Sequence, residues 1–555
     1  MAGTRLYTHL SFLIYAIFVT PFAWYLLTVH RVSLPYERID SLKFTVNGSA
    51  AGNACCIPAS LEILIDSNLK INSKQLQILS DIIGHSLEKA NPLKNDISQC
   101  IDMRISVQNN VYDVDLNQNS KDVDEQLKSI IDLKETLLPS YSIFLSTSHH
   151  SEKASFTFGK YRHGWVQFPA SMEIESVTKL IKEVSDIFVE KVLQPRLSLK
   201  SLVAQIGDSY KLTFSLLNED PGKRIVGWRF SEFSNLFLKK LLTKLSPLAD
   251  FSVESQEIHY ARLSASPLED DPITGGKMWH VDEMTSLLSS NTFSTWSLSN
   301  KQREKALKFL MYVPSQQHSP LHLYSSPDQR SLAFAVHGMG GVAIFNDLGN
   351  MTEDSFSVSP MVMLSALDLV KPMGAFVSQL RNILGLPKTP RYIPGKKLDT
   401  KLLPSSTEGI TDWELDLLER AWLFHHIAAT KKSLSDIVEL LRKLPQIEVN
   451  RDVSQKTNEA LDLLEQCTET CAINPSEALR LARLALNSAE EAYFDPTMVA
   501  QLYFAQDQLL AVYLPLIAPV VIPLILGIFT EVKRYKKKKA MKEEGGTHDE
   551  KPKSS

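Results

Sequence analysis

The sequence predicts an α/β domain followed by a C-terminal helical subdomain, with the pair flanked by two transmembrane helices. Three observations carry this. Charge-free apolar runs lie near both ends of the 555 residues, short β-rich runs alternate with amphipathic stretches from about 40 to 400, and helical periodicity takes over after about 405. Strands interleaved with helices favour a sheet covered by helices.

The leading run, Leu10 to Val29, is flanked by Arg5 and Arg31 and has Trp24 and Tyr25 near its outer end, where aromatic rings favour the membrane interface. It is longer than a cleaved signal requires and ends in bulky residues, so an uncleaved anchor is expected. The trailing run, Leu509 to Phe529, holds 21 residues without a charge, enough to cross a hydrocarbon core of roughly 30 Å. Lys533, Arg534 and Lys536 to Lys539 follow it directly. Basic residues close to a span mark the cytosolic side. The expected division is therefore 1–9 cytosolic, 10–29 first span, 30–404 luminal α/β domain, 405–496 luminal helical subdomain, 497–508 connector, 509–530 second span and 531–555 basic cytosolic tail.

Other features fit this placement. The sequons at Asn47 (NGS) and Asn350 (NMT) fall between the spans, whereas Asn474 is blocked by Pro475. Lys551 and Lys553, fifth and third from the end, resemble a dilysine retrieval signal of the endoplasmic reticulum, an address read by a receptor. Arg5, Lys533 and Arg534 are placed to meet anionic lipid. Pro515, Pro519 and Pro523 recur every four residues along the second run, near one helix face, and each removes a backbone donor. Prolines within spans persist where neighbours satisfy the freed carbonyls, so a packing face is expected there.

Between the spans, LKFTV (42–46), CIDMRISV (100–107), YSIFLS (141–146), SFTFGKY (155–161), YKLTFSLL (210–217) and GVAIFN (341–346) have the content of strands. Residues 73–90, 171–193 and 231–245 carry apolar residues at helical spacing. After 405, Thr411 and Glu414 form a capping box, and Asn474-Pro475 opens a later helix with a cap and a proline at its first position.

The chemistry-bearing residues point away from catalysis. A net charge of −4 with one basic block, in the tail, indicates no nucleic-acid partner. Five cysteines are too few for a disulfide scaffold, and in an oxidising lumen their odd number leaves at least one thiol free or paired between chains. His337-Gly338 resembles the histidine turn of legumain-like proteases. Its only later thiols, Cys467 and Cys471, stand at i, i+4 on an amphipathic helix, so the glycines after His337 read as a place of close backbone approach. The pairs His149-His150 and His425-His426 lack further ligands, and His280, Asp282 and Glu283 read as a solvated loop. No metal, cofactor or catalytic residue is assigned.

Several stretches are familiar. RVSLPYERID, YKLTFSLLNEDP, DFSVESQEIHYA, LMYVPSQQHSPL, TEGITDWELDLL and AYFDPTMVAQLYFAQDQLLAVYLPLIAPVVIP closely resemble the PIG-S family and occur in family order. Residues 50–200 add little beyond the general pattern. The resemblance implies a two-span, non-catalytic subunit of the glycosylphosphatidylinositol (GPI) transamidase in the endoplasmic reticulum membrane. Implied partners are the legumain-like catalytic subunit PIG-K, PIG-T, PIG-U and the Gaa subunit, so His337 inherits no catalytic role. The residues alone also admit a membrane-tethered luminal hydrolase, or a lectin- or chaperone-like binding protein.

Overall fold

The computed structural model describes residues 32–47, 57–66, 101–109, 119–131, 138–148, 153–170, 174–193, 209–222, 225–261, 269–271, 275–281, 304–326, 329–336, 340–346, 361–386, 392–405, 409–444, 449–498 and 506–544, apart from Lys396, together with a few single positions. Two compact units result. One comprises residues 44–430 and 462–486; the other comprises 1–43, 431–461 and 487–555.

The larger unit is built on two main sheets. In the first, β1 (Ile57–Ile65) lies parallel to both β2 (Ile101–Asn109) and β3 (Ser140–Ser148). β3 is buried continuously from Tyr141 to Ser146, as befits a strand covered on both faces. β4 (Ala154–Phe158) forms an antiparallel hairpin with β5 (His163–Pro169), and β5 pairs in parallel with β3. The far edge comes from much later in the chain, as β17 (Tyr392–Ile393) and β18 (Leu398–Leu402), giving the order β17-β18-β4-β5-β3-β1-β2. Helix α2 (Ser120–Ile131) packs Val123 and Leu127 with Leu64, Phe144 and Trp165. Helix α3 (Ile174–Phe188) sets Val177, Leu180, Ile181, Val184 and Phe188 with Leu61, Ile63, Ile143 and Phe158, at the helical spacing expected.

The second sheet has the order β14-β15-β11-β6-β8. β6 (Ser209–Asn218), β8 (Asp250–His259), β11 (Glu304–Val313) and β15 (Gly340–Ile344) are parallel, and β14 (Ala333–Val336) is antiparallel at one edge. Phe214 and Phe309 stack on each other and meet Phe376 of α6 (Val370–Ile383). The remaining strands are β9 (Glu269–Asp270), β10 (Lys277–His280), β12 (Leu321–Ser326) and β13 (Gln329–Ser331), which form a four-stranded sheet. Its Trp279, Leu321 and Leu323 share a core with Leu217, Leu310, Tyr312 and Val342. A short parallel pair joins β7 (Ile225–Trp228) to β16 (Met361–Leu364). Gly340, at φ +129°, faces the Lys308 backbone so closely that a Cβ would strike its carbonyl oxygen. The close approach read from these glycines is real.

The C-terminal helical region contains α7 (Asp412–Lys443), α8 (Arg451–Thr470) and α9 (Pro475–Tyr493). Asn474 caps α9, its Oδ1 accepting from the Glu477 N–H at 3.2 Å. The capping box of α7 is half made. Thr411 N–H donates to Glu414 Oε2 at 3.0 Å, while Arg381 also grips that carboxylate in a two-point contact and the Thr411 hydroxyl has no partner among the described residues. Cys55 and Cys471 form a disulfide, and Cys467 is a buried thiol outside any disulfide.

One expectation is corrected near the start of the chain. LKFTV is not a strand but part of α1 (Tyr36–Asn47). Pro35 directly precedes this helix, and Tyr36, Ile39 and Leu42, spaced by three, pack with Leu434, Ile437, Val438 and Leu441. Packing of one apolar helix face overrides the strand preference of Phe, Thr and Val. Arg442 and Asp40 add an ion pair at 2.6 Å. Helix α10 (Gln506–Glu544) runs unbroken through Pro515, Pro519 and Pro523, all three exposed. Among the described residues, no helix is long and apolar enough to cross a membrane; some side chains along the apolar run of α10, and residues 1–31, lie outside that set.

Candidate functional site

In open α/β sheets ligands gather beyond the carboxyl ends of parallel strands, so the candidate site is sought where β6, β8 and β11 end. Asn218 closes β6, His259 closes β8, and Tyr312 is the penultimate residue of β11. Asn218 Nδ2 donates to Val226 O at 2.7 Å and lies 3.2 Å from His259 Nδ1. Glu219 follows on the next position. Its Oε2 accepts from the Ser315 N–H at 2.6 Å, and its Oε1 lies 2.5 Å from His318 Nδ1. Burial, reinforced by the Glu219 charge, pushes the Tyr312 phenol far above its ordinary range.

Chemically this is a carboxylate that anchors a turn. Glu219 is spent on one backbone donor and one imidazole, and no thiol or hydroxyl nucleophile stands hydrogen-bonded to His318 among the described residues. A second acid–histidine pair, Asp124 and His163, has Oδ1 and Nε2 3.1 Å apart, but the side chains are 0% and 1% exposed and no substrate reaches them. A third cluster, in the small sheet, holds Asp271 in a two-point contact from Arg330 at 2.9 and 3.0 Å. Among the described residues no group of acids, histidines and cysteines has the arrangement of a metal site.

The residues singled out from sequence are scattered. His280 lies in β10 with its ring edge against Tyr324; Asp282 and Glu283 fall outside the described residues. His425 and His426 sit in α7, where burial and then Lys305 hold the His425 pKa below its ordinary value. Asn47 ends α1. Lys533 and Arg534 are exposed on α10. Arg5, His149, His150, His337, Asn350, Lys551 and Lys553 all lie outside the described residues. Neither Glu219 nor His318 was singled out from sequence, because 99 residues separate them.

A family model described as PIG-S, phosphatidylinositol-glycan biosynthesis class S protein, matches residues 10–538. The chain belongs to the PIG-S family. A rat protein named GPI-anchor transamidase component PIGS is 30% identical over 342 residues, covering 59% of this chain and 58% of that protein. The human protein of the same name is 29% identical over 337 residues, with the same coverage. GPI transamidase component GPI17 of Saccharomyces cerevisiae is 23% identical over 349 residues, covering 59% of this chain and 58% of its own. The chain thus spans 58% of the length of each of these relatives in the matched region. In this PIG-S chain three stretches that carry the resemblance, around Glu219, His259 and His318, meet at one end of the five-stranded sheet.

Proposed function

We propose that this PIG-S chain is a non-catalytic membrane subunit of a GPI transamidase, supporting transfer of GPI anchors to the C-terminus of proproteins in the endoplasmic reticulum. The observation that carries the reading is the family match across 10–538, with relatives from rat to yeast bearing the name of transamidase component. Its partners are a legumain-like catalytic subunit, PIG-K, with PIG-T, PIG-U and the Gaa subunit.

Two placements support the non-catalytic role. Cys471 is tied to Cys55, and Cys467 is buried with its Sγ against Ala478 O at 3.3 Å. Neither is available as a thiolate nucleophile. A disulfide joining residues 416 apart suits an oxidising lumen. Residues 10–29 and 509–530 serve as spans, with both termini cytosolic. Exposed Ile522, Ile525, Leu526 and Phe529 on α10 support the second, since bare apolar side chains on a long helix call for lipid or another helix. The face marked by Pro515, Pro519 and Pro523 packs against neighbouring spans, Arg5, Lys533 and Arg534 meet anionic lipid, Asn350 and Asn47 carry glycans, and Lys551 and Lys553 serve retrieval.

The test is affinity purification in mild detergent from cells lacking their own copy. A legumain-like protease should co-purify, and Cys467→Ala and His337→Ala variants should restore GPI attachment. Absence of the protease, with hydrolase activity in the pure chain, would replace the reading with a tethered hydrolase. In sealed microsomes a tag after Ser555 should be digested by added protease; a shielded tag overturns the topology. Pro519→Leu with Pro523→Leu should lower recovery of the complex while leaving glycosylation unchanged.

A further inference from the structure

Among the described strands, β8 is the last of the five-stranded sheet. β8 pairs with β6 along its full length, from Ser209 opposite Asp250 to Asn218 opposite His259, and no described strand takes its other side. It is ten residues long and contains no proline. In a parallel pair, alternate residues turn their N–H and C=O groups toward the neighbour. The others on β8 point outward, and such an edge is a template for another strand.

A groove of about 500 Å³ runs beside this edge, lined by Trp228, Phe230, Ser234, Val253, Ser255 and Glu257. That volume falls in the usual range of binding clefts. Its opposite wall is α4 (Phe230–Phe233), which passes through a π turn (Ser234–Leu238) into α5 (Lys239–Leu245). π turns inserted in helices are frequent at functional sites. Trp228 and Phe230, with ring centroids 5.2 Å apart, supply an aromatic floor.

The edge is also acidic. Asp250, Glu254 and Glu257 are all exposed along it. Lys211 pairs with Glu254 at 2.7 Å, whereas Glu257 receives only the Trp228 N–H at 3.1 Å and Asp250 has no ion pair among the described residues. Two copies of β8 brought edge to edge would set these like charges against each other, which disfavours self-pairing.

We propose that this edge takes up an extended segment of a second protein, which adds to β8 as a strand, seats an apolar side chain over Trp228 and Phe230, and places a lysine or arginine against Glu257. Main-chain bonds supply affinity in this mode, and the alternate side chains supply specificity. The inference goes beyond the subunit reading and stands separately from it. The partner is defined by its chemistry, so the strand site survives if no transamidase subunit co-purifies.

The experiment uses the full chain, purified in mild detergent with whatever it assembles with. A benzoyl-phenylalanine photoprobe is placed at Ser255, and another at exposed Lys371 of α6 as a site control. Mass spectrometry should place the Ser255 crosslink on an apolar segment of another polypeptide, with a lysine or arginine within three residues of the attachment. Glu257→Gln, which can still accept from the Trp228 N–H, should lower the crosslink yield about threefold, the loss of one partly screened charge pair. Coupling to a second copy of this chain, a segment without a basic residue, an unchanged yield, or no coupling to protein would each overturn the proposal. Hydrogen exchange requires no substitution. Outward β8 amides should exchange at least about tenfold more slowly in the assembly than in the chain purified alone, and equal exchange would also overturn it.

Discussion

Two acidic clusters in the larger unit use the same kinds of side chain to opposite ends. At the start of α7, Asp416 is 3% exposed and takes a two-point contact from Arg162, both bonds 2.7 Å, plus the Tyr141 hydroxyl at 3.0 Å. Burial alone works against the Arg162 charge, but Asp416 outweighs it and holds the guanidinium pKa above its ordinary value. Within the same two turns of helix, Trp413 donates to Gly159 O, Lys244 pairs with Asp412, and Arg381 pairs with Glu414. This stretch fastens the hairpin of the first sheet to helices that cover the second. Glu219, by contrast, takes only one backbone N–H and the His318 imidazole among the described residues, although the two pairs meet solvent alike: Arg162 is 38% exposed and His318 37%. What separates them is how many elements converge on the acid. The cluster closed by several elements holds the sheets in register; the open one positions a turn at the strand ends.

Breaking the closed cluster should have the largest effect. Asp416→Ala leaves the buried Tyr141 hydroxyl unpaired, at a cost of about 1–3 kcal/mol, while the Arg162 charge, 38% exposed, regains water and adds about 1 kcal/mol at most. Denaturant unfolding of the detergent-solubilised chain would measure it; a loss below about 1 kcal/mol would remove Asp416 from its role as fastener. Next comes Glu419, one turn further along, whose pKa is pushed up to about 7 by burial and by Asp416. A carboxyl raised from 4.5 contributes its full stability below that value and loses it as pH climbs through 7. Glu419→Gln should therefore match the parent near pH 4.5 and exceed it above pH 7, by about 3 kcal/mol at most. Parallel melts across that window decide the matter, and a variant weaker than the parent at pH 8 contradicts it. The open cluster should respond least. His318→Ala should cost no more than about 1 kcal/mol, as for other solvent-reached pairs, and should leave the protein's yield unchanged. A loss as large as that of Asp416→Ala would erase the contrast between the clusters.

Local features were readable in the sequence where a single element decided them. The periodicity of 171–193 became α3, the Asn474-Pro475 signal became a capped helix, and YSIFLS became a buried strand. LKFTV misled because β-branched content and an apolar helix face coexist in α1, and only packing chooses between them. Strand order was unreadable for another reason. β18 pairs with β4 across more than two hundred intervening residues, and no local pattern encodes such a pairing. The candidate site shares that limit: its acid and histidine stood within stretches noted for resemblance, yet their meeting depends on β6 and β11 lying side by side.

The bridge between Cys55 and Cys471 sets a timetable for biosynthesis. At a synthesis rate of about 5–20 residues per second, the 416-residue separation keeps the first thiol waiting roughly 20–80 s for its partner to be made. Throughout that interval Cys55 stands beside Cys56 with the native mate still to come, so any earlier pairing must be undone before the mature bond can close. The front of the first sheet is thus covalently sealed only after the helices at the far end of the chain have been delivered.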